Sequence, residues 1–176
     1  MVENNIFFSI KKHLKGKIVI IGVGNSLRGD DGAGPEFIKS LEAGIKCSAK
    51  NIPSQDSFKV ENQLVLMDVQ GAPENYLGKI VEQKPDTVIL VDAVDLGSSP
   101  GVTKIINQNN FLPEGFSTHH PSLDLILRYL QEETETSIFV LGIQPKSIKM
   151  NTKLSRPVKK AINQIKKSLL ECMDIA

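Results

Sequence analysis

Apolar runs alternating with helix-spaced segments predict an α/β fold, a three-layer α/β/α sandwich around a mostly parallel, twisted sheet of about five strands. Three observations carry this. Ile18-Val19-Ile20-Ile21, Gln63-Leu64-Val65-Leu66-Met67, Thr87-Val88-Ile89-Leu90-Val91 and Ile138-Phe139-Val140-Leu141 are short and almost purely apolar, as strands covered on both faces must be. Helical spacing separates them, most clearly in Val158, Ala161, Ile162, Ile165 and Leu169, with Lys159, Lys160, Lys166 and Lys167 on the other face. A glycine-rich turn, GVGNSLRGDDGAGPEF over residues 22–37, joins the first run to the first helix.

In chain order, Ile6, Phe7, Ile10 and Leu14 have the spacing of a short packing helix. The first strand lies near 17–22. Pro35 suits a first helical turn, and Gly44 reads as the C′ residue of a helix ending near Ala43. Residues 47–62 are polar and aperiodic and read as a surface loop. The second strand ends at Asp68, Pro73 opens a short helix, and the third strand ends at Asp92. Residues 102–106 suit a short edge strand, and residues 107–118 a loop. A helix follows with Ser122 as its cap and Pro121 just outside. The last helix starts near Arg156-Pro157. One domain spans residues 1–176, with 1–16 as an extension and 17–170 as the α/β body.

With 40% hydrophobic and 23% charged residues in 176, this is an ordinary globular composition. A formal charge of +1 makes no case for nucleic acid or a membrane surface. The lysines of the last segment read as a solvated helix face. Cys47 and Cys172 have no metal or redox spacing, which fits reduced thiols and a cytoplasmic location. No secretory or membrane-spanning segment is expected, nor an organic cofactor, and a monomer is expected. Gly22-Val23-Gly24 begins like a dinucleotide fingerprint, but Leu27 stands where its third glycine belongs. Two carboxylates at a helix start also repel a pyrophosphate.

The chemistry centres on carboxylates. A single Asp before a helix is usually a cap, but Asp30 and Asp31 form a doublet. Asp31 follows the first strand, Asp68 ends the second and Asp92 the third, so a parallel sheet brings all three to its carboxyl edge. Clustered like charges cost stability unless a cation joins them. His119, in a loop before a helix, is the natural fourth member. Two carboxylates and one imidazole leave open positions on a metal, and suit Ni²⁺ or Zn²⁺ without choosing between them.

At these residues the chain resembles the hydrogenase maturation endopeptidases, which process the large subunit of nickel–iron hydrogenases. The resemblance rests on GVGNSLRGDDGAGP (22–35), DVQGAPEN (68–75), ILVDAVDLGSSPG (89–101), STHH (117–120) and FVLGIQP (139–145), in family order. It implies a twisted five-stranded sheet between helices. It also implies removal of a C-terminal extension from a nickel-loaded [NiFe]-hydrogenase large-subunit precursor, the nickel arriving with that substrate. It carries the metal-meeting and catalytic roles onto Asp31, Asp92 and His119. Asp68 matches a further acidic position, Asn25 and Gln144 match shared loop positions, and His120 is able to substitute for its neighbour. Two other readings stay open on the residues alone. A peptidyl-tRNA hydrolase shares the Gly-x-Gly-Asn start but needs a basic tRNA surface, and a nickel-binding chaperone would hold the same precursor without cutting it.

Overall fold

A five-stranded sheet, fully buried at its centre and half-buried at its edges, forms the middle layer. The computed structural model describes residues 8, 10–49, 64–107 and 121–173, with the side chains of 47–49, 107 and 121–125 left aside. Its strands are β1 (Ile18–Val23), β2 (Leu64–Gln70), β3 (Thr87–Ala93), β4 (Thr103–Asn107) and β5 (Ser137–Ile143). Its helices are α1 (Ala33–Ala49), α2 (Leu77–Glu82), α3 (Pro121–Glu133) and α4 (Arg156–Cys172), with 3-10 turns at Gly29–Gly32 and Pro73–Tyr76. The strand order is β2-β1-β3-β5-β4, and every pairing is parallel except that of β4 with β5.

β1 and β3 are buried along their whole length because helices cover both faces. On one face Phe37, Ile38 and Leu41 of α1 and Val158, Ile162 and Leu169 of α4 pack on Ile18, Ile20, Ile89 and Val91. On the other, Ile80 of α2 and Ile126, Leu127 and Leu130 of α3 pack on Val19, Ile21, Leu90 and Val140. A central strand thus reads apolar continuously, since odd and even residues each meet a helix layer.

This is the architecture expected from the sequence, with local differences. α1 runs through Gly44 to Ala49, so Gly44 is not its C′ residue and 47–49 are helical. A Cβ at Gly44 would lie 3.2 Å from Leu170 Cδ1; the missing side chain lets α1 and α4 approach closely, and packing outweighs the usual helix-ending preference. The helix predicted to open at Pro73 starts as a 3-10 turn, and α3 begins at Pro121 itself, the position that tolerates a missing N–H. Of the N-terminal packing positions, Ile10 is fully buried and Leu14 packs on the same core, while Ile6 and Phe7 lie outside the described residues. Most of the 47–62 and 107–118 loops lies outside them too.

His13 stacks obliquely on Phe139, with ring centroids 5.2 Å apart. Burial, reinforced by Lys12 and Lys15, lowers its pKa below the usual 6.5. The unfolded chain therefore binds this proton at higher pH than the folded one. The contribution is complete above the unfolded pKa and is lost as pH falls toward the folded value. In urea titrations at about pH 7.5 and about pH 5.5, wild type should lose more stability on acidification than His13→Gln.

Candidate active site

The strand order turns back between β1 and β3. α1 leads from β1 to β2 on one side, while β3 is followed by β5 and β4 on the other. In open α/β sheets the crevice at such a reversal, outside the carboxyl ends of the strands, is where ligands sit. Asp31 follows β1, and Asp92 is the penultimate residue of β3.

The chain reaches Asp31 through a tightly folded turn. Gly24, at φ 130°, donates its N–H to Gln70 O at 2.9 Å. A Cβ there would collide with the Asp31 carbonyl and lie 3.8 Å from Asp92 Oδ1. Gly24 thus marks the point where the two acidic segments meet, and its lack of a side chain permits it. Gly34 permits a second close approach at the start of α1, since a methyl there would overlap the Val23 backbone and the Val91 carbonyl. Asn25 closes the turn by three contacts. Its Oδ1 accepts from Leu27 N–H at 2.9 Å, its carbonyl accepts from Arg28 N–H at 2.9 Å, and its N–H donates to Asp31 Oδ2 at 3.1 Å.

The aspartate doublet divides into two roles. Asp30 is 1% exposed and turns away from the crevice. Its Oδ1 accepts from Ser155 N–H at 2.6 Å, and its Oδ2 from Lys146 and Ser147 N–H at 2.8 and 3.2 Å. Its own N–H donates to Ser147 O at 2.9 Å. A carboxylate accepting several backbone N–H groups is a strong tie, and this one fastens the turn to the segment after β5. Asp31 is 3% exposed, and its carboxylate closes back on Asn25 N–H. Asp92 is fully buried, with Oδ1 accepting from Ala93 N–H at 2.7 Å.

Asp68 reaches the same edge from the other face. It is in register with Gly22, which pairs in turn with Val91, the residue before Asp92. Side chains alternate along a strand, so Asp68 shares the α1 face with Val91, and Asp92 belongs to the α3 face. The Asp68 carboxylate is occupied by Gln70, through Nε2 at 2.8 Å to each oxygen and the backbone N–H at 3.2 Å. Gln144 works on the loop after β3. Its Oε1 accepts from Leu96 and Ser98 N–H at 2.6 and 3.2 Å, and its Nε2 donates to Asp95 Oδ1 at 3.2 Å. His119 and His120 lie outside the described residues. Among the described residues no group of three or more His, Cys, Asp or Glu is arranged to hold a metal ion.

Sequence reasoning misses the bracing role of Asp30. Its partners lie more than a hundred residues away, and only the doublet hints that one carboxylate is spoken for.

The profile of the HycI hydrogenase maturation protease family matches residues 54–172. The chain is 34% identical over 149 residues to the hydrogenase 3 maturation protease of Escherichia coli K12, covering 84% of this chain and 85% of that one. The crystal structure of a [NiFe] hydrogenase maturation protease HycI from Thermococcus kodakarensis superposes with a TM-score of 0.77 at 27% identity, over 94% of this chain and 99% of that chain. The solution structure of the endopeptidase HycI from Escherichia coli gives 0.68 at 31% identity, over 88% and 91%. The chain belongs to the hydrogenase maturation protease family and is a hydrolase. No helix of the described residues is long and apolar enough to cross a membrane.

Removing each acid of the doublet should separate their roles. Asp30→Ala strips three backbone N–H groups of their acceptor and should cost about 3 kcal/mol in urea unfolding. Asp31→Asn keeps an oxygen toward Asn25 N–H and should cost about 1 kcal/mol or less.

Proposed function

We propose that this chain removes the C-terminal extension of a nickel-loaded [NiFe]-hydrogenase large-subunit precursor, acting as a monomer in the cytoplasm. Asp31, Asp92 and His119 meet the nickel that the substrate brings. The observation that carries this reading is the convergence of the Asp31 main chain and the Asp92 carboxylate on Gly24, at the reversal of the sheet.

The placement of α3 supports the third ligand. α3 leads through only three residues into β5, which runs parallel to β3, so its C-terminal end lies at the amino edge of the sheet. Its Pro121 end therefore lies at the carboxyl edge, and α3 packs on the face to which Asp92 belongs. His119 and His120 immediately precede Pro121 in the chain. Two carboxylates and an imidazole form a donor set suited to divalent nickel.

In this reading the two aspartates have complementary tasks. Asp31, held by Asn25 N–H, and Asp92, anchored in β3, fix the position of the metal-bearing segment and hence of the scissile peptide. A divalent cation held there lowers the pKa of nearby water and stabilises charge on the carbonyl oxygen. A carboxylate takes the proton from the attacking water. The water oxygen bonds to the carbonyl carbon, the C–N bond breaks, and the proton passes to the departing amine. Gln144 keeps the loop after Asp92 in place while this happens, and Asn25 does the same for the turn before Asp31.

Asp31→Asn, Asp92→Asn and His119→Ala should each lower processing of the nickel-loaded precursor at least about a hundredfold. Circular dichroism should show the fold retained. The readout is the mass of the precursor before and after incubation, with and without nickel; full cleavage by all three variants would sink the assignment. Because nickel comes with the substrate, the isolated protein should bind Ni²⁺ weakly in calorimetry, and tight one-to-one binding would argue for a resident metal.

A further inference from the structure

The positive charge of this chain is not spread evenly. No aspartate or glutamate occurs between Gln144 and Leu170, although the net charge of the whole is only +1. The beginning of that stretch, residues 145–155, is folded against the acidic turn. Asn151 N–H donates to Leu27 O at 2.7 Å, Arg28 and Thr152 form a parallel bridge, and Asp30 N–H meets Ser147 O. Arg28, Lys146, Lys149 and Lys153 are all exposed on these two segments. Among the described residues they form no ion pair.

Two large apolar side chains stand exposed on the same two segments. Leu27 is 62% exposed and Met150 57%, and the Asn151–Leu27 hydrogen bond brings their segments side by side. Exposed apolar side chains are ordinary when scattered; here they lie on adjoining segments that also carry four exposed cations, one segment being the turn that delivers Asp31. Leu27 also occupies the position where a nucleotide-binding turn would need a glycine, so its side chain is a commitment to another kind of partner.

Resting on the protease reading above, we propose that this face docks an acidic stretch of the precursor polypeptide that carries an aliphatic side chain. The aliphatic group packs between Leu27 and Met150, and the carboxylates face Arg28, Lys146, Lys149 and Lys153. The face continues directly into the turn holding Asp31, so a chain bound there leads toward the crevice. Nucleic acid fits less well: the exposed apolar side chains of this face, Leu27 and Met150, include no aromatic ring on which bases would stack. Lysines at the rim raise association rate and specificity, and the apolar pair supplies the anchor.

The test compares Lys149→Glu with Lys153→Glu in one variant and Leu27→Ser with Met150→Ser in another, each checked for wild-type circular dichroism. On the nickel-loaded precursor each pair raises KM about tenfold and leaves kcat within about twofold. Raising NaCl from about 50 to about 500 mM raises the wild-type KM, and the charge-reversed variant loses that dependence. KM unchanged in both variants overturns the docking face while leaving the protease reading standing. Absence of cleavage by the wild type strikes the protease reading instead. Docking is then decided by titrating the precursor against Asp31→Asn protein with and without the charge reversals. A Kd weakened about tenfold by the reversals supports the face; an equal Kd, or no binding at all, overturns it. Tighter binding to phosphatidylserine vesicles or to a poly(U) strand than to the precursor overturns it in favour of lipid or nucleic acid.

Discussion

One buried carboxylate holds the working end of this protein together. Asp30 accepts backbone N–H groups from Lys146, Ser147 and Ser155, and so joins the turn after β1 to the segment between β5 and α4. Charge-assisted bonds of this kind are stronger than neutral ones, and burial leaves the carboxylate no water to fall back on. Asp31, Leu27 and Arg28 all inherit their positions from it. The turn is too rich in glycine to hold its own shape, because Gly24 and Gly29 gain conformational freedom in the unfolded chain. The tie from Asp30 offsets that freedom at a single point.

Around this tie the sheet supplies convergence. β1 and β3 are adjacent, parallel and buried, and the chain leaves their carboxyl ends in opposite directions. That leaves a gap filled by the turn itself. Gly24 and Gly34 let backbone pass where any Cβ would clash with Asp31, Val23 or Val91. The Asp31 main chain and the Asp92 carboxylate therefore converge on Gly24 because two glycines allow it, at a place where the topology already opens the sheet. The same geometry gives Gln144 its role: the loop after β3 hangs at Leu96 and Ser98 from one amide side chain at the end of the neighbouring strand.

Much of this is legible in the sequence. The four apolar runs form β1, β2, β3 and β5; β1, β3 and β5 are covered on both faces, whereas β2 lies at the sheet edge and is half-buried despite the same reading. All five residues read as the apolar face of α4 are buried, and Ser168 joins them. Local rules fail where a distant partner overrides them. Gly44 looks like a helix end, yet Leu170 needs the room that its missing side chain leaves. Asp68 belongs to the right edge, but strand parity turns it to the face opposite Asp92. The lysines of the last segment read as a solvated helix face, whereas those of residues 146–153 stand beside Leu27 through hydrogen bonds to a turn far away in sequence.

By itself the sequence determined the layers, the parallel core and the acidic turn, because periodicity and glycine placement act over a few residues and need no partner. It also contained the motifs that identify the family. Only the tertiary structure decided which aspartate of the doublet braces the segment after β5 and which closes on Asn25, on which face of the sheet Asp68 and Asp92 lie, and that basic and apolar side chains share the segments beside the acidic turn. Those choices depend on strand register and on hydrogen bonds spanning more than a hundred residues, which no local pattern encodes.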